Sequence, residues 1–381
     1  MKRLKTILGL LTVSLLSAVA TLFILFLAMG IKPADMSSAI KFIYAFSIVK
    51  HEYVDSVAAK NLFDGAVKGV VEALKDQHSV YLDKESMSTF MMHTEGEYGG
   101  VGIYLGQKDK ELLVIAPMDG TPADRAGVKS GDRIMKIDGV VTANMDSDVA
   151  ANKIRGKAGT VVKLTLLRGK ETKEIELKRE IIEIKTVIGK MYDNKIAYIR
   201  ISTFNENTGA EFDKEWKKQE SDGAKAFVLD LRENPGGLLT ECVDVAKHFI
   251  PKGPIVTVVD RNGNKEEYDS DLVNQRFPLV VLVDGGSASA SEIIAGAVQD
   301  TKAGTLIGEK TYGKGSVQTI LRLGDGSGIK LTIAKYATPL NRFIDGIGVE
   351  PDIKIALPEN ATATNDVQLN KALEVLNAKL K

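Results

Sequence analysis

The chain has 381 residues, 50 basic and 50 acidic side chains, a formal net charge of zero and 44% hydrophobic residues. That length accommodates two or three domains, and the balanced charge gives no electrostatic argument for a nucleic-acid partner or an acidic surface. A single cysteine, Cys242, excludes an intrachain disulfide, and its apolar setting, "GLLTECVDVAKHFI", reads as a buried small hydrophobe rather than a nucleophile.

In chain order, Lys2, Arg3 and Lys5 precede an uncharged run from Ile7 to Met29. That run is about 23 residues, roughly 34 Å as a helix, against about 7–15 apolar residues in a secretory signal. "SAVA" at Ser17–Ala20 offers a cleavage site, yet the apolar run continues through "TLFILFLAMG". Residues 1–30 are therefore expected to be an uncleaved membrane anchor, with the basic end cytoplasmic and the body exported to the periplasm or an equivalent extracytoplasmic space.

Residues 36–96 read as helical, with Ile40, Ile43, Tyr44 and Ile48 on one face and Leu62, Ala66, Val70, Val71 and Leu74 on another. "HEYVD" carries Asp55 where the helical zinc motif needs its second histidine, so no metal is expected. Residues 97–182 change to short strands: "GGVGIYLG", "ELLVIAP", "DRIMKIDG", "VVKLTLLRG" and "KEIELKRE", with one short helix at "TPADRAG". In 183–358 strands such as "AKAFVLDLR" and "PLVVLVD" alternate with helices at "FNENTGAEFDKEWKKQ", "GLLTECVDVAKHFI" and "SASEIIAGAVQD", which predicts an α/β layer. Residues 359–381 end in a helix whose Leu369, Leu373, Leu376 and Leu380 form a stripe suited to packing or to a homo-oligomer contact through the terminal helices.

"GEKTYGKGS" at Gly308–Ser316 nearly spells a phosphate-binding loop, but Gly315 stands where the Mg²⁺-holding hydroxyl belongs. "VDGGSASASEI" places Ser287, Ser289 and Ser291 at a strand-to-helix turn of small residues, the setting that displays a nucleophile. By itself the stretch is read more simply as a serine N-cap. None of the four histidines (His51, His78, His93, His248) lies where a Ser-His-Asp triad is well supported, which leaves a serine–lysine pair. Lys314 sits between Gly313 and Gly315, with Gln318 four residues on, able to share its face of an extended segment. "DLRENPGG" ends a strand and opens a helix, so Gly236 and Gly237 present backbone donors.

"DLRENPGG", "SASASEI", "TYGKGSVQ" and "GIGVEPDI", in this order, resemble the C-terminal processing peptidases, or tail-specific proteases, over about Ala39 to Leu380. The resemblance implies a multidomain α+β protein: N-terminal helices, a PDZ domain, a ClpP/crotonase-like α/β protease core and a C-terminal helix. It implies no cofactor. It implies Ser289 as nucleophile, Lys314 as base, Gln318 as its support, and Ala290 with a glycine of the Pro-Gly-Gly turn, Gly236 preferred over Gly237, as oxyanion donors. Gly99, Gly100, Val101, Gly102 and Ile103 ("GGVGI") resemble the carboxylate-binding loop of the PDZ domain, which captures protein C-terminal tails. Arg168, at a strand end, is expected to be a solvated charge, with a regulatory bridge to a bound tail or to the protease body as the alternative. The sequence departs from the family at "LKDQHS" and at Asn341, both outside these residues. Two other readings remain open, a non-catalytic PDZ scaffold and a nucleotide-binding protein.

Overall fold

The computed structural model describes residues 13–381 except 15, 18–19, 22, 29, 31, 109–110 and 359–364. The expected anchor falls partly on residues outside this set; no helix of the described residues is long and apolar enough to cross a membrane. The chain divides into two compact units, Met1–Tyr81 and Leu82–Lys381. In the first unit, helices α1 (Met36–Glu52) and α2 (Ala59–Glu72) form where periodicity places them, but α1 buries nothing: Ile40, Ile43, Tyr44 and Ile48 are all exposed.

The second unit opens with α3 (Lys84–Glu95), which the sequence had grouped with the N-terminal helices. Asp83 caps it by accepting the Ser86 amide at 2.8 Å, and Gly96 ends it in the left-handed conformation that an L side chain resists. A β-rich module follows. Strands β1 (Glu97–Gly100), β2 (Ile103–Lys108), β3 (Glu111–Pro117), β4 (Arg133–Ile137), β5 (Val140–Val141), β6 (Val161–Arg168), β7 (Glu171–Lys178) and β8 (Glu180–Glu183) carry α4 (Pro122–Arg125) and α5 (Ser147–Ile154). The main sheet runs β2-β3-β4-β6-β7, while β1 pairs with β8. "GGVGIYLG" is therefore two strands, broken at Val101–Gly102, where Gly102 has φ +74°.

The remainder contains β9 (Val187–Tyr192), β10 (Ile196–Ile201), α6 (Thr208–Ser221), β11 (Ala226–Asp230), α7 (Leu239–Ala246), β12 (Gly253–Asp260) and β13 (Lys265–Ser270). It continues through β14 (Leu279–Val283), α8 (Ala290–Thr301), β15 (Thr305–Gly308), β16 (Ser316–Leu323), β17 (Ser327–Ala337), β18 (Ile353–Lys354) and α9 (Val367–Lys379). The central sheet has the order β9-β10-β11-β14-β15-β18 and is parallel beyond β10. Strands β11 and β14 are buried along their whole length, as parallel strands covered on both faces must be. Their alternate side chains serve two cores. Phe227, Leu229, Val281 and Val283 pack with α6–α8, whereas Val228 and Val280 pack with Leu369, Ala372 and Leu376 of α9. The leucine stripe of α9 is thus intrachain packing, not a free oligomer face.

A second, antiparallel sheet places β16 on β17, β17 on β12 and β12 on β13. Helix α9 is latched to the first sheet by charge: Arg232 donates to Asp230 at the end of β11 and to Asp366, the N-cap of α9.

Candidate active site

Three loops converge because they leave the carboxyl ends of three adjacent parallel strands, the usual place for a site in such a sheet. The loop after β11 carries Pro235, Gly236 and Gly237. The loop after β14 carries Ser287–Ser289. The loop after β15 carries Gly313–Gly315. They border a cleft of about 330 Å³ that Gly236, Gly237, Ser289, Ala290, Lys314 and Gln318 all line.

The three serines separate cleanly. Ser287 is fully buried and donates to Leu231 O at 2.8 Å; Ser291 is fully buried and donates to Asn234 O at 3.0 Å. Ser289 alone faces the cleft, at φ 54° and ψ −114°, a conformation that non-glycine residues hold at a cost of order 1–3 kcal/mol. Small neighbours are needed because Gly236 abuts it: a Cβ on Gly236 would lie 2.8 Å from Ser289 Cβ.

The device that joins Ser289 to Lys314 is a side chain the sequence reading passed over. Glu292, fully buried in the first turn of α8, accepts four hydrogen bonds. Its Oε2 takes the amides of Ser289 (2.9 Å) and Lys314 (2.8 Å); its Oε1 takes the amide of Gly313 (2.7 Å) and the hydroxyl of Thr311 (2.6 Å). The Ser289 and Lys314 nitrogens therefore lie no more than about 6 Å apart, the reach of two hydrogen bonds through one oxygen. Tyr336 closes the other side. Its buried hydroxyl lies 3.0 Å from Ser289 O and 2.7 Å from Lys314 O, sharing its one proton between the two carbonyls. Burial raises the phenol well above its ordinary pKa, so it stays a donor. Both residues are thus gripped at N–H and C=O by groups that are not themselves the reacting atoms.

This grip also disposes of the phosphate-loop reading. The Gly313 and Lys314 amides point at a carboxylate, and the segment runs into strand β16 instead of opening a helix. Gln318 lines the same cleft, its carboxamide nitrogen donating to Ser316 Oγ (2.9 Å) and Thr332 Oγ1 (3.3 Å). Among the backbone donors, Ala290 is the first residue of α8 and its amide has no acceptor among the described residues. The preferred Gly236 amide is instead committed to Asn234 Oδ1 at 2.9 Å. The Gly237 amide has no acceptor among the described residues, which moves the candidate donor to Gly237.

Cys242 is fully buried, its thiol against Ala290 O and pushed up in pKa by burial, as a structural cysteine should be. His248 packs on Phe212 and Trp216, away from the cleft. His93 of α3 does line it, which the sequence could not foresee, and no carboxylate of the described residues bonds to it. His93 also borders a second groove, of about 840 Å³, which Gly100, Val101, Gly102 and Ile103 line in the β-rich module. Gly99 lies outside this groove's lining; it borders the neighbouring pocket under α3, and its carbonyl accepts the Gly156 amide at 3.0 Å.

Arg168 departs from the solvated charge expected of it. Its Nε and Nη2 reach the two oxygens of fully buried Asp132 at 2.6 and 2.7 Å, and Nη2 also reaches Gly127 O at 2.8 Å. The hydrogen bonds from Arg168 hold the Asp132 carboxyl below its ordinary range.

Comparison with known proteins agrees with this layout. Residues 195–355 match peptidase family S41, residues 99–178 a PDZ domain, and residues 30–86 the activating protease CtpB N-terminal domain. The chain is 36% identical to the carboxy-terminal processing protease CtpB of Bacillus subtilis over 87% of its own length and 70% of that protein's. It is 40% identical to the carboxy-terminal-processing protease of Bartonella bacilliformis over 82% of this chain and 74% of that one. Among solved structures, the photosystem II D1 C-terminal processing protease superposes with a TM-score of 0.50 at 30% identity, covering 88% of this chain and 96% of its own. A Bacteroides fragilis S41 protease shares the fold at TM-score 0.51 and 16% identity, covering 88% and 97%. A PDZ module beside an α/β core, with a serine and a lysine gripped at the carboxyl ends of the core strands, belongs to a chain whose family these relatives fix: it is a member of peptidase family S41, a PDZ-bearing carboxy-terminal processing protease.

Proposed function

We propose that the chain is a serine endopeptidase with a Ser289–Lys314 dyad. The neutral amine of Lys314 takes the Ser289 hydroxyl proton, and Ser289 Oγ attacks the peptide carbonyl. The amides of Ala290 and Gly237 receive the developing oxyanion at the positive end of α8. The protonated lysine returns its proton to the leaving amine, and water then hydrolyses the acyl-enzyme. The observation that carries this reading is the shared grip of Glu292 and Tyr336, which fixes two residues 25 positions apart in one cleft. Lys314→Arg tests it: arginine keeps the charge but cannot give up its proton, so cleavage should be lost as fully as in Lys314→Ala. Turnover by the arginine variant would remove Lys314 as base.

We further propose that the PDZ groove takes substrate C-terminal tails. The amides of Val101 and Gly102 have no acceptor among the described residues and border the groove, which suits a terminal carboxylate. Binding of free-acid over amidated peptides to a Ser289→Ala chain tests this, and equal binding ends it. The basic "MKRLK" followed by the apolar run supports export with membrane anchoring through the N-terminal segment, tested by fractionation and protease accessibility of the tagged chain. The uncovered faces of α1 and α2 support a homo-oligomer through the N-terminal helices, which sedimentation of chains with and without these helices tests.

A further inference from the structure

Lys330 is a second lysine in the cleft that the proposed chemistry leaves without a task. It lies on β17, paired with Ile320 of β16, and the next inward pair on that face is Thr332 with Gln318. Two strand residues separate Lys330 from the level of Gln318, about 7 Å along the cleft floor. Its ammonium sits 5.5 Å from the ring centroid of Phe90 on α3, within cation–π range. Among the described residues that ring is its one side-chain partner; no carboxylate reaches it, and no Asp or Glu lines the cleft. The carboxylates that hold the Gly313–Gly315 loop are engaged elsewhere: Glu292 by four donors, and Asp345 by Lys335 and the Gly315 amide.

A half-buried ammonium without an anion is costly, and desolvation lowers the pKa of Lys330 from the ordinary lysine value. A surface lysine would turn its head to water. This one lines the cleft on β17, held against Phe90.

The geometry points to Lys330 as a specificity residue: it receives a carboxylate of the bound substrate about two residues from the scissile bond. This rests on the protease reading of the same cleft. The carboxylate comes either from an acidic side chain or from the free α-carboxylate of a chain ending there. Phe90 would flank it, and carboxylate binding would replace the missing counter-ion.

The test uses the full-length protein and matched peptides with Glu or Gln at each position within three residues of the cut, and peptides ending two residues beyond it as free acid or amide. The wild-type protein should prefer the carboxylate-bearing peptide at one position by about tenfold in kcat/KM. That ratio should fall to about one in Lys330→Gln, invert in Lys330→Glu and persist in Lys330→Arg. Preference in the Glu/Gln set assigns an internal acidic residue, and preference only in the acid/amide set assigns the chain end. The same ratios read as affinity to Ser289→Ala report the subsite even if the dyad assignment fails. Indifference of the wild-type protein to every carboxylate, in both kcat/KM and affinity, overturns the inference whatever the variants do. Loss of Ser289 labelling in a folded Lys330→Gln protein also overturns it, by assigning the lysine to the chemistry.

Discussion

Replacing Glu292 with Gln tests whether the grip on Ser289 and Lys314 is what makes the cleft competent. The change is nearly isosteric, so packing is preserved and only hydrogen bonding alters. An amide has one acceptor oxygen where the carboxylate has two, and each carboxylate oxygen accepts two donors between 2.6 and 2.9 Å. Whichever way the amide turns, its NH₂ meets a backbone N–H. Turned toward Thr311 it loses the Gly313 amide, although the hydroxyl can rotate to accept; turned the other way it loses both Ser289 and Lys314. With charged hydrogen bonds at about 1.5–3 kcal/mol each, destabilisation of about 2–4 kcal/mol follows. In a unit of this size that lowers the melting temperature by roughly 3–6 °C. The looser register between nucleophile and base should cut kcat by about 10²-fold, the penalty typical of a 1 Å misplacement, with KM little changed. Peptide turnover, Ser289 labelling by a fluorophosphonate and thermal melting, measured on one preparation, separate the two effects. A folded Glu292→Gln protein that labels and turns over within twofold of wild type would refute the argument.

Tyr336→Phe removes only the hydroxyl shared by the Ser289 and Lys314 carbonyls, so kcat should fall about tenfold with intact folding, read by the same labelling assay. Gly236→Ala should abolish labelling, because its Cβ would meet Ala288 O at 2.7 Å and the Ala290 amide at 2.9 Å, and φ is +97°. Arg168→Ala should leave the Asp132 carboxylate with only the Lys129 amide as recorded donor and destabilise the PDZ module, seen as faster hydrogen exchange in 97–182. The Asp132 carboxyl is depressed in the folded state, so this advantage of the wild type is full above the unfolded value, about 4, and fades as pH falls through the folded one. An unchanged wild-type-minus-variant difference down to pH 2 would contradict that assignment.

The sequence made the parallel strands and α8 legible because both are locally encoded. "AFVLD" and "LVVLV" are unbroken apolar runs, and the Ser-Ala-Ser-Glu spelling starts a helix by its own capping chemistry. The antiparallel sheet of β12, β13, β16 and β17 was missed: "KEEYDS" is mostly exposed and gains its pairing only from β12. Helix α6 starts at Thr208, not at Phe204, because Phe204 is bridged to Gly237. Glu292 was passed over because its bonds to Thr311, Gly313 and Lys314 come from a loop 19 to 22 residues away. The Gly236 amide looked available until Asn234, two residues earlier, turned its side chain onto it. His93 and Lys330 reach the cleft only through tertiary packing, for which no local pattern exists.

The latch between Arg232 and Asp366 has a bearing on the cleft itself. Leu369, Ala372 and Leu376 of α9 are built into the sheet, and Leu380 packs beside them. Lifting α9 would strip that face of its hydrophobic cover and break the ion pairs on Arg232. The same Arg232 sits four residues before Gly236, so a pull on α9 would be felt as slack in the cleft.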